Sequence, residues 1–469
     1  MPEDILTNVL IFKNMLWLGD YAFRMERWFK GQEIGPMRID AELHRRCNLN
    51  CVMCARRASN IDLIEESKKI EMPTKRWVEI ARESGELGTK AWNISGIGEP
   101  MCKPETLISV MEMVKAYNMY GELTTNGTLW NEKYIKKTIE MGWDSICVSI
   151  DAPDAKTHDT IRRVKGTFKR ATKTVTLFSK WRDKFKNEVP CLTLNLVLTK
   201  LNYKKLPQMI KLAYKVGADA IFVEPMIVYT SLGEKNKLNE KEIEELPEII
   251  QKTKELGEEY LIATTITCET PEKKFQKELI KHTSNIRDIL IEDSKTYLND
   301  KILSIPCFYP WFFLMIRADG SIIHCGESKE IFDNISQKSL KEVWFGNMME
   351  DIRKKFLTGD IPEYCNMCRP NVIEDTREMR RSIMRYRDRR NLQIKIFDLL
   401  KENMELRKQL FRLRIRKDLR YKDLKKFKKL EEEEKELTKF KNSLSYKMGK
   451  KVGTTKLGKM IKRRFGIYV

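Results

Sequence analysis

Three cysteines, Cys47, Cys51 and Cys54, fall within eight residues and directly follow Met37 to His44, a stretch that alternates like a half-buried strand. A chain extends by at most about 3.6 Å per residue, so thiols this close in sequence reach one metal centre without help from distant parts of the fold. The strand before them sets them at a strand's C-terminal end, where α/β folds carry their chemistry. Three thiols are one short of a closed site. Structural zinc and ordinary iron-sulfur centres take four protein ligands, and a missing fourth leaves one metal position open. His44 is the candidate for that position in a Cys3His zinc site, and the spacing allows it.

The rest of the chain narrows the setting. With 469 residues it predicts two or three domains. The net charge of +21 is uneven: from Asn371 onward 32 Lys and Arg stand against 14 Asp and Glu, a net of +18, which leaves +3 for the first 370 residues. Eleven cysteines without a secretory signal pattern argue against a disulfide framework and for a reducing, cytoplasmic setting. Seven fall in metal-like groups, the three above and Cys307, Cys325, Cys365 and Cys368; Cys102, Cys147, Cys191 and Cys268 stand singly and read as buried thiols. No run is long and apolar enough for a membrane span. The nearest, Ile5 to Phe29, reads as an amphipathic helix packed on its own domain.

After the cysteine loop, strand-like runs at Lys90 to Ser95, Gly121 to Thr125, Asp144 to Ile150, Cys191 to Leu198 and Asp219 to Val223 alternate with helical stretches near Thr74 to Ser84, Pro104 to Tyr117, Asn131 to Met141, Thr167 to Lys186 and Lys205 to Val216. With the first strand they make six βα units, expected to form a parallel, partly closed barrel. A charged helical bridge is expected over 234–302, and His282 within it, without a partner motif, reads as an exposed or structural histidine. The second thiol group follows: Phe308 to Ile316 is strand-like, Ala318-Asp319-Gly320 is a hairpin turn leading back to Cys325, a helix is expected over Lys341 to Phe356, and Cys365-Asn366-Met367-Cys368 completes four thiols. Such a set closes either a zinc or a 4Fe-4S site. Beyond Asn371, Leu392, Leu399, Leu406 and Leu413 recur at seven, a coiled-coil seam or a folded-back helix and a possible route to a homo-oligomer. The basic end, Asn442 to Val469, suits an anionic membrane surface, RNA, or simply solvent.

Cys47-x3-Cys51-x2-Cys54, Ser95-Gly96-Ile97-Gly98-Glu99-Pro100, Thr124-Thr125-Asn126-Gly127, Ser149-Ile150-Asp151 and His158 to Phe168 together resemble the radical S-adenosylmethionine (SAM) superfamily in order. The resemblance implies a partial (β/α)6 TIM-like barrel and a 4Fe-4S cluster on the three cysteines, whose free iron chelates SAM. It implies reductive cleavage of SAM to a 5'-deoxyadenosyl radical that takes a hydrogen atom from substrate, with an electron donor such as flavodoxin or ferredoxin. It also implies site roles. Gly96, Gly98 and Glu99 lie at the SAM amino group, Ser149 and Asp151 near the ribose, and Asn126 in the pocket. Arg162 or Arg163, Arg163 preferred, meets the SAM carboxylate, and Asn195 contacts ribose or carboxylate. Met53 replaces the often aromatic residue that stacks on adenine, and a thioether also packs on a ring.

Cys307-x12-Gly320-x4-Cys325 resembles the opening of a SPASM auxiliary domain, with its cysteine-rich end reduced to one CxxC as in the twitch form. That implies a second, auxiliary 4Fe-4S cluster on four thiolates, suited to accepting or relaying an electron. The expected organisation is an α/β core over 37–233 behind an N-terminal helix (1–36), the 234–302 bridge, an auxiliary iron-sulfur domain (303–370) and a long-helix tail (371–469). The expected reaction is oxidation of a small-molecule, sugar or glycan-linked substrate, because the tail resembles those of cell-surface polysaccharide enzymes. Glu327, two residues past Cys325, is the candidate base. Maturation of a ribosomal peptide, RNA modification, and a metal-bound scaffold without catalysis are the alternatives.

Overall fold

The computed structural model describes residues 18–54, 71–267, 286–326, 328, 330–368, 370–389 and 432. Contacts divide the chain after Asp388, and the first unit holds every element described below apart from the last residue of its final helix. The heptad seam, the basic end, His282 and Cys268 lie outside the described residues. So does Glu327.

Ten strands form one sheet in the order β10-β9-β8-β1-β2-β3-β4-β5-β6-β7. The six expected strands are β1 (Arg38–Ala41), β2 (Ala91–Ile94), β3 (Tyr120–Thr125), β4 (Ser145–Ser149), β5 (Cys191–Leu198) and β6 (Ala220–Pro225), each parallel to the next. Between them lie α2 (Thr74–Glu86), α3 (Pro104–Ala116), α4 (Glu132–Glu140), α5 (Ala155–Arg162), α6 (Thr167–Lys184) and α7 (Leu206–Val216), after an N-terminal α1 (Leu18–Phe29). The helix α1 does pack on this unit: Tyr21, Ala22 and Met25 are buried, and Arg24 donates to the carbonyls of Gly35 and Gly88.

Four strands extend the six of the barrel core. The bridge is not purely helical, for α8 (Glu240–Tyr260) ends in a left-handed Leu261 and leads into β7 (Ala263–Ile266), parallel to β6. At the other edge β8 (Phe313–Ile316) runs parallel to β1, pairing Arg38 with Phe313 and Ala41 with Ile316, and turns through Gly320 into antiparallel β9 (Ser321–Ile323). A short β10 (Asp333–Asn334) pairs antiparallel with β9. The strand expected from Phe308 begins only at Phe313, because a helical turn, α9 (Tyr309–Phe312), with proline in its first turn, precedes it. The helix expected over Lys341 to Phe356 is two, α10 (Leu340–Trp344) and α11 (Asn347–Thr358), divided at Gly346. The tail boundary also moves. Helix α12 (Pro370–Arg389) packs on the auxiliary region, where Arg380 donates to the carbonyls of Leu303 and Ile305.

The sheet has two unlike faces. Ile39, Trp92, Leu123, Ile146, Val148 and Leu194 point under the helices and are wholly buried. Their neighbours on the other face are polar: Asp40 pairs in register with Asn93 and that with Glu122, Cys147 with Thr193, and Ser149 with Asn195. Parallel strands covered by apolar packing on both faces read as continuous hydrophobic runs. These alternate, so the concave face is a polar lumen.

A buried ion pair fixes β5 and β6 to the helical layer. Arg182 on α6 is forked on Asp219, just before β6, and Asp219 also accepts from Leu192 N. Removing one partner leaves the other charge buried alone. Asp219→Asn should destabilise the fold by about 3–5 kcal/mol, read as a lower midpoint in urea unfolding; an unchanged midpoint would contradict this account.

Candidate functional site

The loop from β1 to Cys54 is anchored by backbone bonds to the helix end beside it. Val52 N and Asn50 N donate to the carbonyls of Ile161 and Arg162, groups that a helix C-terminus leaves without intrahelical partners. Asp154 caps α5 at its start, accepting from Thr157 N, and Arg163 ends it in the left-handed region at φ 56°. That turn sends Arg163 into solvent and leaves Arg162 buried.

Arg162, not Arg163, therefore reaches the site. Its Nη1 stands 3.6 Å from Cys51 Sγ, and its Nε lies 2.6 Å from Asp151 Oδ2 in an ion pair without hydrogen-bond alignment. Asp151 is fully buried; its other oxygen accepts from Val197 N and its own N donates to His158 Nδ1. Expected at a ribose, Asp151 is instead engaged in holding Arg162. Helical spacing carried the signal, since residues four apart share a face and His158 with Arg162 lies inward.

The glycine-rich loop after β2 approaches the cysteine loop rather than open space. A Cβ on Gly98 would stand 2.2 Å from the carbonyl of His44, and one on Gly96, at φ 146°, 2.7 Å from Glu42 Cγ. Glu99 N donates to Arg46 O, and the Glu99 carboxylate accepts from Met101 N, Thr125 Oγ1 and Asn126 N. Burial pushes this carboxyl upward, and the three donors act against that. Asn126 is used in the same network, donating to Asn48 Oδ1 and accepting from both the amide and hydroxyl of Thr128. Glu99 and Asn126, expected to face a ligand, thus tie three loops together.

His44 is not a fourth ligand. Its Nδ1 accepts from Arg46 N, which puts the proton on Nε2, and that nitrogen donates to Pro100 O at 3.2 Å. Both ring nitrogens are engaged, so the Cys3His zinc reading falls. Cys47 and Cys51 are largely enclosed, and burial pushes the Cys47 thiol up to about 12. Among the described residues no three such side chains form a preformed closed metal site. The fit with a cluster rests on donor chemistry: three soft thiols on one short loop, a guanidinium beside one of them, and, among the described residues, no fourth protein donor. Met53 and Cys54 are half-buried at the end of the described loop. Ser149, the last residue of β4, is side by side with Asn195 within β5, and Asn195 Oδ1 is buried without a hydrogen-bond partner.

In the second thiol group Cys307 and Cys365 are buried and Cys325 and Cys368 half-buried. Thr376 on α12 directs its hydroxyl at Cys307 Sγ, 3.7 Å away, a contact that sequence reasoning missed because α12 was assigned to the tail. His324 neither faces solvent nor is charged. It is boxed by Phe332, Phe356 and Tyr364, and burial lowers its pKa to about 3. Cys307 precedes β8 and Cys325 follows antiparallel β9, so this group lies toward the strand end opposite to Cys47.

The comparisons with known proteins agree with this arrangement. The family described as Radical SAM superfamily matches residues 42–213, and SPASM, an iron-sulfur cluster-binding domain, matches 307–369. The chain is 25% identical over 339 residues to the PqqA peptide cyclase of Gluconobacter oxydans, covering 71% of this chain and 82% of that one. It is equally identical to the AdoMet-dependent heme synthase of Methanosarcina barkeri, covering 71% and 88%. Streptococcus suis SuiB bound to S-adenosylmethionine shares the fold, with a TM-score of 0.51, 17% identity and 70% of each chain covered. The chain belongs to the radical SAM superfamily. Within it, this is a SPASM-containing enzyme whose cofactors are S-adenosylmethionine and two 4Fe-4S clusters.

His158 gives a measurable handle on the site. Burial, then Arg162, lowers its pKa to about 4 against 6.5 when unfolded. A histidine depressed in the fold is neutral there while the unfolded chain takes up the proton, so stability is full above pH 6.5 and falls as pH drops toward 4. The loss should reach about 3 kcal/mol. His158→Asn keeps an acceptor for Asp151 N, and its unfolding free energy should lack that part of the decline; identical pH profiles would refute the assignment.

Proposed function

We propose that this radical SAM enzyme modifies a peptide, part of which enters the polar lumen beneath the Cys47–Cys54 loop. The observation that carries the reading is the match to PqqA peptide cyclases along most of both chains. The sugar or glycan oxidation expected from the tail gives way to it, since the tail lies outside the described residues and the relatives favour the peptide alternative. The polar lumen is consistent, because a peptide brings donors and acceptors that need partners once buried.

Cys47, Cys51 and Cys54 would hold the SAM-binding cluster, with Arg162 donating toward Cys51. Ser149 and Asn195 would meet polar groups of SAM, the orphaned Asn195 oxygen accepting from a donor such as a ribose hydroxyl or the amino group. Gly96 and Gly98 leave no room for a side chain between the SAM-side loops. When bound, the cluster and SAM supply a 5'-deoxyadenosyl radical that removes a hydrogen atom from the substrate. Cys307, Cys325, Cys365 and Cys368 would hold the auxiliary cluster. The four residues of the β1–β8 pairing span on the order of 13 Å, a short path for an electron between the two thiol groups. Proton removal by Glu327 would complete an oxidation. No helix among the described residues is long and apolar enough to cross a membrane.

Anaerobically reconstituted protein should carry about eight irons per chain. Cys51→Ala should retain about four and release no 5'-deoxyadenosine, whereas Cys365→Ala should also retain about four yet still cleave SAM. Incubation with SAM, a low-potential reductant and the short peptides encoded beside its gene should change the mass of one peptide. A mass change confined to carbohydrate would defeat the peptide reading.

A further inference from the structure

The Cys307 sulfur is met by donors that ligation alone does not require. Burial pushes this thiol up; against burial act the amide of Tyr309 at the start of α9, the Thr376 hydroxyl and the charge of Arg380, while Asp375 acts with it. The Thr376 hydroxyl stands 3.7 Å from the sulfur. Thr376 and Arg380 are four apart on α12, so one face of that helix brings both to Cys307. Arg380 is held in place by the carbonyls of Leu303 and Ile305, and Asp375 accepts from the Tyr309 hydroxyl.

A threonine inside a helix commonly turns its hydroxyl back to the carbonyl four residues earlier. Thr160, Thr172 and Thr253 do so here, donating to Lys156 O, Phe168 O and Ile249 O. Thr376 donates to a sulfur on another segment, 69 residues away in sequence. The bond is wholly buried, where low dielectric makes a hydrogen bond count for more than it would in water. A proton held against a ligating thiolate stabilises negative charge on it. Reducing an iron-sulfur cluster by one electron adds one negative charge, so such a donor favours the reduced form over the oxidised one.

We propose that Thr376, through its hydrogen bond to Cys307, raises the reduction potential of the auxiliary cluster and so fits that cluster to accept an electron. This rests on Cys307 being a ligand of the cluster, and not on which substrate is modified. Full-length Cys51→Ala protein, reconstituted anaerobically so that it holds the auxiliary cluster alone, is titrated with dithionite, which supplies the electron. The reduced cluster is followed by electron paramagnetic resonance. Adding Thr376→Val, which keeps the side chain's shape and removes its proton donor, should lower the reduced-to-oxidised ratio at a fixed potential about tenfold, a shift of about 59 mV for one electron. Thr376→Ala should shift it in the same direction, and Thr376→Ser, which keeps the hydroxyl, should leave it within about threefold of the parent. If one of the two variants without a hydroxyl loses its irons, the other is read. A potential unchanged by either substitution at about four irons per chain, or displaced as far by Thr376→Ser, would overturn the inference. Loss of the irons from both Thr376→Val and Thr376→Ala would make the hydroxyl a structural prop and would overturn it as well. Retention of all four irons when Cys307→Ala is added would instead overturn the ligand assignment, and the inference with it.

Discussion

One buried carboxylate holds the mouth of the barrel together. Glu99 joins the loops after β2 and β3, and its backbone joins both to the cysteine loop at Arg46. Take it away and Met101 N, Thr125 Oγ1 and Asn126 N lose their acceptor together, each buried in a place water reaches poorly. Asn126 would then lose the backbone anchor from which it holds Asn48. The open coordination sphere depends on this frame, because the frame also keeps His44 turned toward Pro100 and away from a metal.

Much of the architecture was legible in the sequence because its signals are local. Cys191 to Leu198 is a strand with those bounds, and the neighbouring strands and helices differ by a residue or two at their ends. The placing of the outer strands was not legible. β8 was read as a strand and β7 was not, but both are four residues long and owe their position to partners more than 270 and 40 residues away, information that no short window contains. The break at Gly346 was missed for the opposite reason, as the apolar spacing runs on through it.

At the site, residue types were easier to read than residue duties. The cysteines announce themselves by spacing. Asp151, Glu99 and Asn126 were identified as members of the site, yet their side chains bind protein, a distinction that depends on which way each one turns. Arg162 over Arg163 was decidable from helical periodicity. The polar lumen was decidable too: Cys147 and Ser149 on β4 and Thr193 and Asn195 on β5 alternate with aliphatic residues, and Asn93 on β2 stands between Trp92 and Ile94.

The pairing of β8 with β1 has a mechanical consequence. Because the auxiliary hairpin continues the barrel's own sheet through a four-residue parallel seam, the first strand cannot swing away from it without breaking a row of main-chain hydrogen bonds. That side of the molecule behaves as a welded joint. Any breathing that admits a bulky guest is left to the strands' upper rim and to the far margin, where β7 has, among the described residues, a neighbour on one flank only.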